Sequence, residues 1–160
     1  MSARHDVQDL QQVLLRQGLP AALQLLNERV THRYTAVYWL DGRALHNLHL
    51  FDREGEARPE FLRVVPLQDS FCQFVLRDGS FCSEDSAQDA RLDGHPYQGV
   101  MVSYHGVPLT DDSGQLCGTL CHFDVACHAL DDGEFDYLQR AARMLAPFVV
   151  RERERAIAEH

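Results

Sequence analysis

The sequence predicts an α/β (α+β) domain: a central antiparallel sheet of five or six strands, helices packed on one face, and an irregular segment over the other. Three observations carry this. Val100 to Leu109 and Leu116 to Phe123 are apolar on both parities, as strands covered on both faces are, and Asp111-Asp112-Ser113-Gly114 between them is hairpin-turn chemistry. Both ends of the chain carry amphipathic helical stripes. Asp85 to Gly99 is rich in Asp, Gly and Pro without a regular period, and an irregular connection of that length marks a functional loop.

The elements follow in order. Val7 to Gln17 and Pro20 to His32 read as helices, separated at Gly18-Leu19-Pro20, with Pro20 suited to N1 of the second. Tyr34 to Leu40 is aromatic and β-branched, hence a strand. Asp41-Gly42 turns it back into Ala44 to Phe51. Asp52 to Pro59 is a polar loop, and Phe61 to Val65 a further short strand. Pro66 to Cys72 opens a helix running to about Asp78, with Asp69 or Ser70 as cap and Gly79 as its end. Phe81 to Glu84 is a brief strand. After the central hairpin, Asp131-Asp132-Gly133-Glu134 starts a helix reaching residue 159. Its stripe is Phe135, Leu138, Ala141, Ala142, Leu145, Phe148 and Val149, and Pro147 is expected to kink it. The stripe is longer than one sheet face needs, and Leu10, Val13 and Leu14 on the first helix lack an obvious partner. A homodimer built on the terminal helices is therefore expected, the alternative being a three-helix layer within one chain.

The chain of 160 residues fits one domain spanning 1–160, with a core at about 19–150. The net charge is −9 and every basic residue is Arg. The absence of lysine removes a P-loop lysine, a Schiff-base lysine and a Ser-Lys pair. An acidic chain without a basic stripe is a poor nucleic-acid ligand. No apolar run approaches the ~20 residues of a membrane span, and the start of the chain lacks a signal-peptide core. A cytoplasmic protein with reduced thiols is expected, and five cysteines, an odd count, suit that better than a disulfide framework.

The stretches PLQDSFCQFVLRDG (66–79), SYHGVPL (103–109) and GTLCHFD (118–124) resemble the GAF domain, the small-molecule sensing module of phytochromes, phosphodiesterases and bacterial signalling proteins. The resemblance covers Leu19 to Val150. It implies a ligand cavity between the sheet and an irregular lid, here Asp85 to Gly99, and a possible separate signalling partner. With the residues of that region it gives a ligand-contact set of Phe51, Cys72, Asp85, Tyr104, His105 and Cys121. Taken as residues of covered strands, Tyr104, His105 and His49 read either as hydrogen-bonded core side chains or as pocket groups. Trp39, Phe51, Phe71 and Phe74 read as core or as ligand clamp. No cofactor is named by these residues, and no lysine is available for the N-K-F-D-E signature of cyclic-nucleotide members. Bilin-binding members use a cysteine, and none lies between Ser83 and Leu116.

Two functions are expected to compete. One is a non-catalytic sensor. The other resembles free methionine-(R)-sulfoxide reductase, a stand-alone GAF protein whose chemistry needs an attacking thiolate and a resolving thiol. Cys72 matches that family's cysteine at the helix start, and Gly94-His95 begins its G-H-x-x-C lid motif. Gln98 stands where the lid cysteine would be, Gln73 replaces a glycine, and Leu62 stands at an earlier resolving cysteine. No catalytic residue is therefore expected. Cys117, Cys121, His122, Cys127 and His128 lack the paired spacing of a zinc site, and Cys117 and Cys121 on one strand lie roughly 13 Å apart, too far for haem attachment. No metal is expected.

Overall fold

The computed structural model describes residues 6–158. Helix α1 (Val7–Gln17) begins at a capping box, in which Asp6 and Asp9 each accept the other's backbone N–H. Gly18, at φ +88°, closes α1 and opens α2 (Leu19–Glu28), with Pro20 in the first turn. Strands β1 (Tyr34–Asp41) and β2 (Ala44–Asp52) form a hairpin. β3 (Val64–Pro66), α3 (Cys72–Asp78) and β4 (Phe81–Ser83) follow, then β5 (Ser103–Thr110), β6 (Leu116–Asp124) and α4 (Asp132–Ala158). The six strands lie in the order β3-β2-β1-β6-β5-β4, every neighbouring pair antiparallel.

The alternation of side chains along β1, β5 and β6 divides the apolar residues into two cores. Val37, Val107, Leu109 and Leu120 point to one face and pack on α1, α2 and α4. Ala36, Tyr38, Tyr104, Cys121 and Phe123 point to the other face, towards α3 and the irregular segments. This is the double covering expected of strands apolar on both parities. β6 runs so close to β1 that a side chain at Gly118 would begin 2.0 Å from the Tyr38 carbonyl oxygen, so only glycine fits there.

Three expectations change. Residues 61–65 do not form one strand: a 3-10 turn, Glu60–Leu62, precedes β3. The Tyr38 hydroxyl donates to the Leu62 carbonyl at 3.0 Å and draws that turn over the sheet. β5 starts at Ser103, because residues 101 and 102 already bond to the segment above: Met101 N–H to the Tyr97 carbonyl, and the Val102 carbonyl to Ser86 N–H. α2 stops at Glu28 rather than His32. The Arg53 guanidinium takes the carbonyls of Asn27 and Val30, and His32 turns into the core. The apolar faces on which the dimer expectation rests are largely covered within one chain. Leu10, Leu14, Leu138, Ala142, Leu145 and Val149 are all buried among α1, α2 and α4. α4 runs through Pro147 as one helix to Ala158, and residue 159 lies outside the described residues.

Buried charge ties the helical layer together. Arg29 forms two 3.0 Å bonds to Glu134 and stacks 3.6 Å above the Tyr137 ring, joining the end of α2 to the start of α4. On the sheet, Arg33 holds Asp52 with two 2.9 Å bonds. Among the described residues no helix is long and apolar enough to cross a membrane.

Candidate functional site

A cavity of about 50 Å³ lies on the α3 face of the sheet. Its floor is Tyr38, Tyr104, Cys121 and Phe123 from β1, β5 and β6. Its walls are Leu45 and Val65 on one side and Ser70, Phe71 and Cys72 on the other. The roof is made by Phe61, stacked on Tyr97 with ring centroids 5.7 Å apart, together with Leu62 and Met101. The exposed surface inside is almost wholly apolar.

The segment over the cavity is held by its own polar side chains. Asp85 and Asp89 cap two successive 3-10 turns, Ser86–Gln88 and Ala90–Leu92. The buried Ser86 hydroxyl donates to the Met101 carbonyl at 2.7 Å and accepts Gly99 N–H at 2.9 Å, pinning both ends of the loop. Leu92 is buried, and His95 sits between Phe71 and Phe74 with its Nε2 3.2 Å from the Ser70 carbonyl.

The polar feature of the cavity is at Cys72. Its sulfur lies 3.1 Å from the Tyr104 hydroxyl and 3.2 Å from Thr119 Oγ1. Gly106 makes this possible. The Tyr104 ring lies over it, and a Cβ there would meet the phenol oxygen at 2.6 Å. The neighbouring Cys121 thiol, then the Thr119 and Tyr104 hydroxyls, hold the Cys72 thiol below its ordinary range against the opposing effect of burial. Burial instead raises Cys121, whose thiol donates to the Ala36 carbonyl at 3.7 Å, and raises Tyr104.

Of the six residues expected to contact a ligand, the fold brings Cys72, Tyr104 and Cys121 together at this cavity. The other three lie elsewhere. His105 has the parity of Val107, so it faces the helical side and the end of a separate polar groove that also includes Asp85. Phe51 pairs with Thr35 and packs on the helical core. His49 also turns to that side, with Nε2 2.7 Å from Glu152 on α4. The expected lid contributes only Tyr97 to the lining. Phe61, Leu62, Tyr97 and Met101 went unassigned because they reach the cavity from turns, where periodicity gives no signal.

On the helical face, His105 belongs to a second cluster. His32 Nε2 lies 3.0 Å from His105 Nδ1, and the His122 and His128 rings stand 5.6 and 4.9 Å from that of His32. Thr35 bonds His122 at 2.6 Å, and Asp124 bonds His128 at 2.7 Å. Burial, then His105 and His128, hold His32 down to about 3; burial and His128 hold His105 down to about 4. Burial likewise pushes His122 well below its ordinary value. Among the described residues no group of three His, Cys, Asp or Glu side chains is arranged to hold a metal ion.

No protein-family model matches the chain, and no curated protein matches it. Solved structures do. The GAF domain of an Acinetobacter phosphoenolpyruvate-protein phosphotransferase superposes with a TM-score of 0.73 at 13% identity, covering 92% of each chain.

The fold is that of the GAF domain.

The free methionine-R-sulfoxide reductase of Neisseria meningitidis, solved with its substrate, superposes with a TM-score of 0.71 at 18% identity, over 96% of this chain and 99% of that one. The far-red absorbing dark state of JSC1_58120g3 with bound biliverdin superposes with a TM-score of 0.69 at 14% identity, over 91% and 95%. At these identities the likeness is one of fold.

Proposed function

We propose that this GAF domain is a non-catalytic small-molecule sensor, its ligand taken into the cavity between the sheet and the 60–62 and 95–101 segments. The observation that carries the reading is a preformed, aromatic-lined cavity of about 50 Å³ with a few convergent polar groups at one end, room for a ligand of a few heavy atoms. Cys72, Tyr104 and Cys121 are its ligand-contact residues. The strands beneath the cavity pack by their other face on α1, α2 and α4, so a ligand-induced shift is passed to the helices and to a separate signalling protein. The reduced thiols suit a cytoplasmic setting.

The test is mass spectrometry of natively purified protein. A small molecule released on denaturation, and lost in a cavity-filling Val65→Trp variant that keeps its far-UV circular dichroism, supports the reading. Protein that carries nothing, and that no member of a small-molecule library stabilises against heat, overturns it.

The second reading is free methionine sulfoxide reduction, favoured by the reductase among the similar structures and by Cys72 in the cavity. Against it, Gln98 stands in place of the lid thiol and does not line the cavity. Its amide is engaged with Gly94 and Asp93. Turnover of free methionine-(R)-sulfoxide with dithiothreitol, abolished by Cys72→Ser, would decide for the enzyme.

A further inference from the structure

A cavity that only takes up an apolar ligand has no need of two thiols, one of them set between two hydroxyls. Cys72, in the first turn of α3, and Cys121, in the middle of β6, face the same small space. The fold converges them by a specific route. Gly106 is the cross-strand partner of Cys121, and it is over Gly106 that the Tyr104 ring lies. The phenol oxygen thus stands beside the Cys121 position and 3.1 Å from the Cys72 sulfur. Thr119, two residues before Cys121 on the same face of β6, sets a second hydroxyl 3.2 Å from that sulfur.

We propose that Cys72 and Cys121 form a dithiol that is oxidised to an intramolecular disulfide by a small neutral hydroperoxide entering the cavity. This rests on the cavity being the sensory site and names what is sensed. The chemical class follows from the walls and the floor. About 50 Å³ admits only a few heavy atoms, and a lining of Leu45, Phe61, Val65 and Phe71 excludes charged oxidants. The floor supplies a sulfur nucleophile with two hydroxyl donors within reach of a leaving oxygen.

The steps balance. The Cys72 thiolate attacks one peroxide oxygen. The S–O bond forms, the O–O bond breaks, and the leaving oxygen departs as water or alcohol, having recovered the thiol proton through the hydroxyls. The Cys121 sulfur then attacks the resulting sulfenic acid. The S–S bond forms, the S–O bond breaks, and water leaves with the Cys121 proton. Two thiols give up two electrons and one hydroperoxide takes them. An external dithiol returns them by exchange. The Cys121 thiol, then the Thr119 and Tyr104 hydroxyls, favour the Cys72 thiolate against burial, and burial keeps the Tyr104 phenol protonated and able to donate. Closing the disulfide draws α3 onto β6, a change at the sheet the helices can read.

The experiment treats the fully reduced chain with one equivalent of hydrogen peroxide and maps the thiols by mass spectrometry. The expected product is a Cys72–Cys121 linkage that dithiothreitol reverses, with Cys82 and Cys127 still free. In Cys121→Ser a sulfenic acid accumulates at Cys72 and is trapped by dimedone. Tyr104→Phe slows disulfide formation roughly tenfold, as loss of one hydrogen bond to a charged group does. Oxidation confined to exposed Cys127, or none, overturns the inference, and the wild-type map needs no variant that folds. Thermal stabilisation of the reduced protein by a ligand tests the sensor reading separately. A ligand that binds while peroxide leaves both thiols untouched removes the dithiol alone.

Discussion

Acid should destabilise this protein well before its carboxylates protonate. His32, His105 and His122 are buried together against β1, β5 and α2, with His128, Asp124 and Arg53 as the charged or titratable groups around them. In the folded chain His105 is held to about 4 and His32 to about 3, with His122 well below its ordinary value. Unfolded, each titrates near 6.5. Between those values the unfolded chain binds protons that the native chain refuses, so stability rises with pH and is lost as pH falls through 6.5. For His105, with the proton on the unfolded state only, the loss from pH 7 to 4.5 is about 2.5 kcal/mol. The native state stays largely unprotonated at His32 and His105 above about pH 4, so their two contributions add, to about 5 kcal/mol, and His122, pushed in the same direction by burial, acts with them. That is comparable with the whole stability of a domain, about 5–15 kcal/mol. Urea melts at pH 7, 6, 5 and 4.5 measure it. The midpoint should fall steadily from pH 6.5 downwards, and His105→Asn, whatever its stability at pH 7, should show a shallower fall. A midpoint flat from pH 6.5 to 4.5 would refute the reasoning. So would a loss that begins only near pH 4, where the unfolded chain starts to protonate carboxylates that the fold keeps ionised, such as Asp89 beside Arg91 and Asp52 beside Arg33.

Further outcomes follow from close contacts. Gly118→Ala places a Cβ 2.0 Å from a backbone carbonyl that cannot move without parting β1 from β6, so it should cost more than about 4 kcal/mol or give insoluble protein; a normal urea midpoint would contradict this. Gly106→Ala meets only a side chain, so it should fold with a loss of about 1–3 kcal/mol while pushing the Tyr104 ring away from Cys72, seen as a changed near-UV spectrum and slower thiol chemistry. Arg29→Met removes both 3.0 Å bonds to Glu134 and the stack on Tyr137, so it should lower the urea midpoint more than Arg29→Met does in a Glu134→Gln background. Light scattering at micromolar concentration should give a monomeric mass, since the stripes of α1 and α4 are consumed inside the chain and Leu15 and Ile157 are the exposed large apolar residues left on those helices.

The fold was legible because its signals are periodic. Two-parity strands, the Asp111–Gly114 turn and the terminal stripes each repeat over several residues, so burial leaves a pattern along the chain. The turn itself is built as its composition implied: Asp111 Oδ1 accepts the N–H groups of Ser113 and Gln115, and Gly114 takes φ +82°. Parity also accounts for where half of the expected site residues lie. Tyr104 and Cys121 share a face, and Cys72 meets them from α3. The same rule, applied to His105, separates it from Tyr104, since neighbours on a strand point to opposite faces. The expectation that both could reach one pocket overlooked this. The three-helix layer was weighed as an alternative to a dimer, and composition could not choose between them, because a stripe buried by another helix looks the same whichever chain supplies it.

That division of β5 and β6 by parity is also what would let the domain carry a signal. Tyr104 and His105 are adjacent, yet one contacts Cys72 in the cavity and the other contacts His32 among the helices. Cys121 and His122 repeat the arrangement on β6: the first lines the cavity, and the second bonds Thr35 beside the Asn27–Thr35 contact from α2. A displacement of the strand pair by a cavity ligand or by a Cys72–Cys121 linkage cannot move the first residue of each pair without moving the second. The histidine side is a close-packed, hydrogen-bonded cluster with His32 Nδ1 lacking a partner, so it has little slack to absorb the motion and must pass it to α2. Amide exchange should therefore change in α2 and the 29–33 segment when the cavity is occupied or oxidised. Protection changes confined to α3 and residues 85–101 would show that the sheet isolates the two faces instead of joining them.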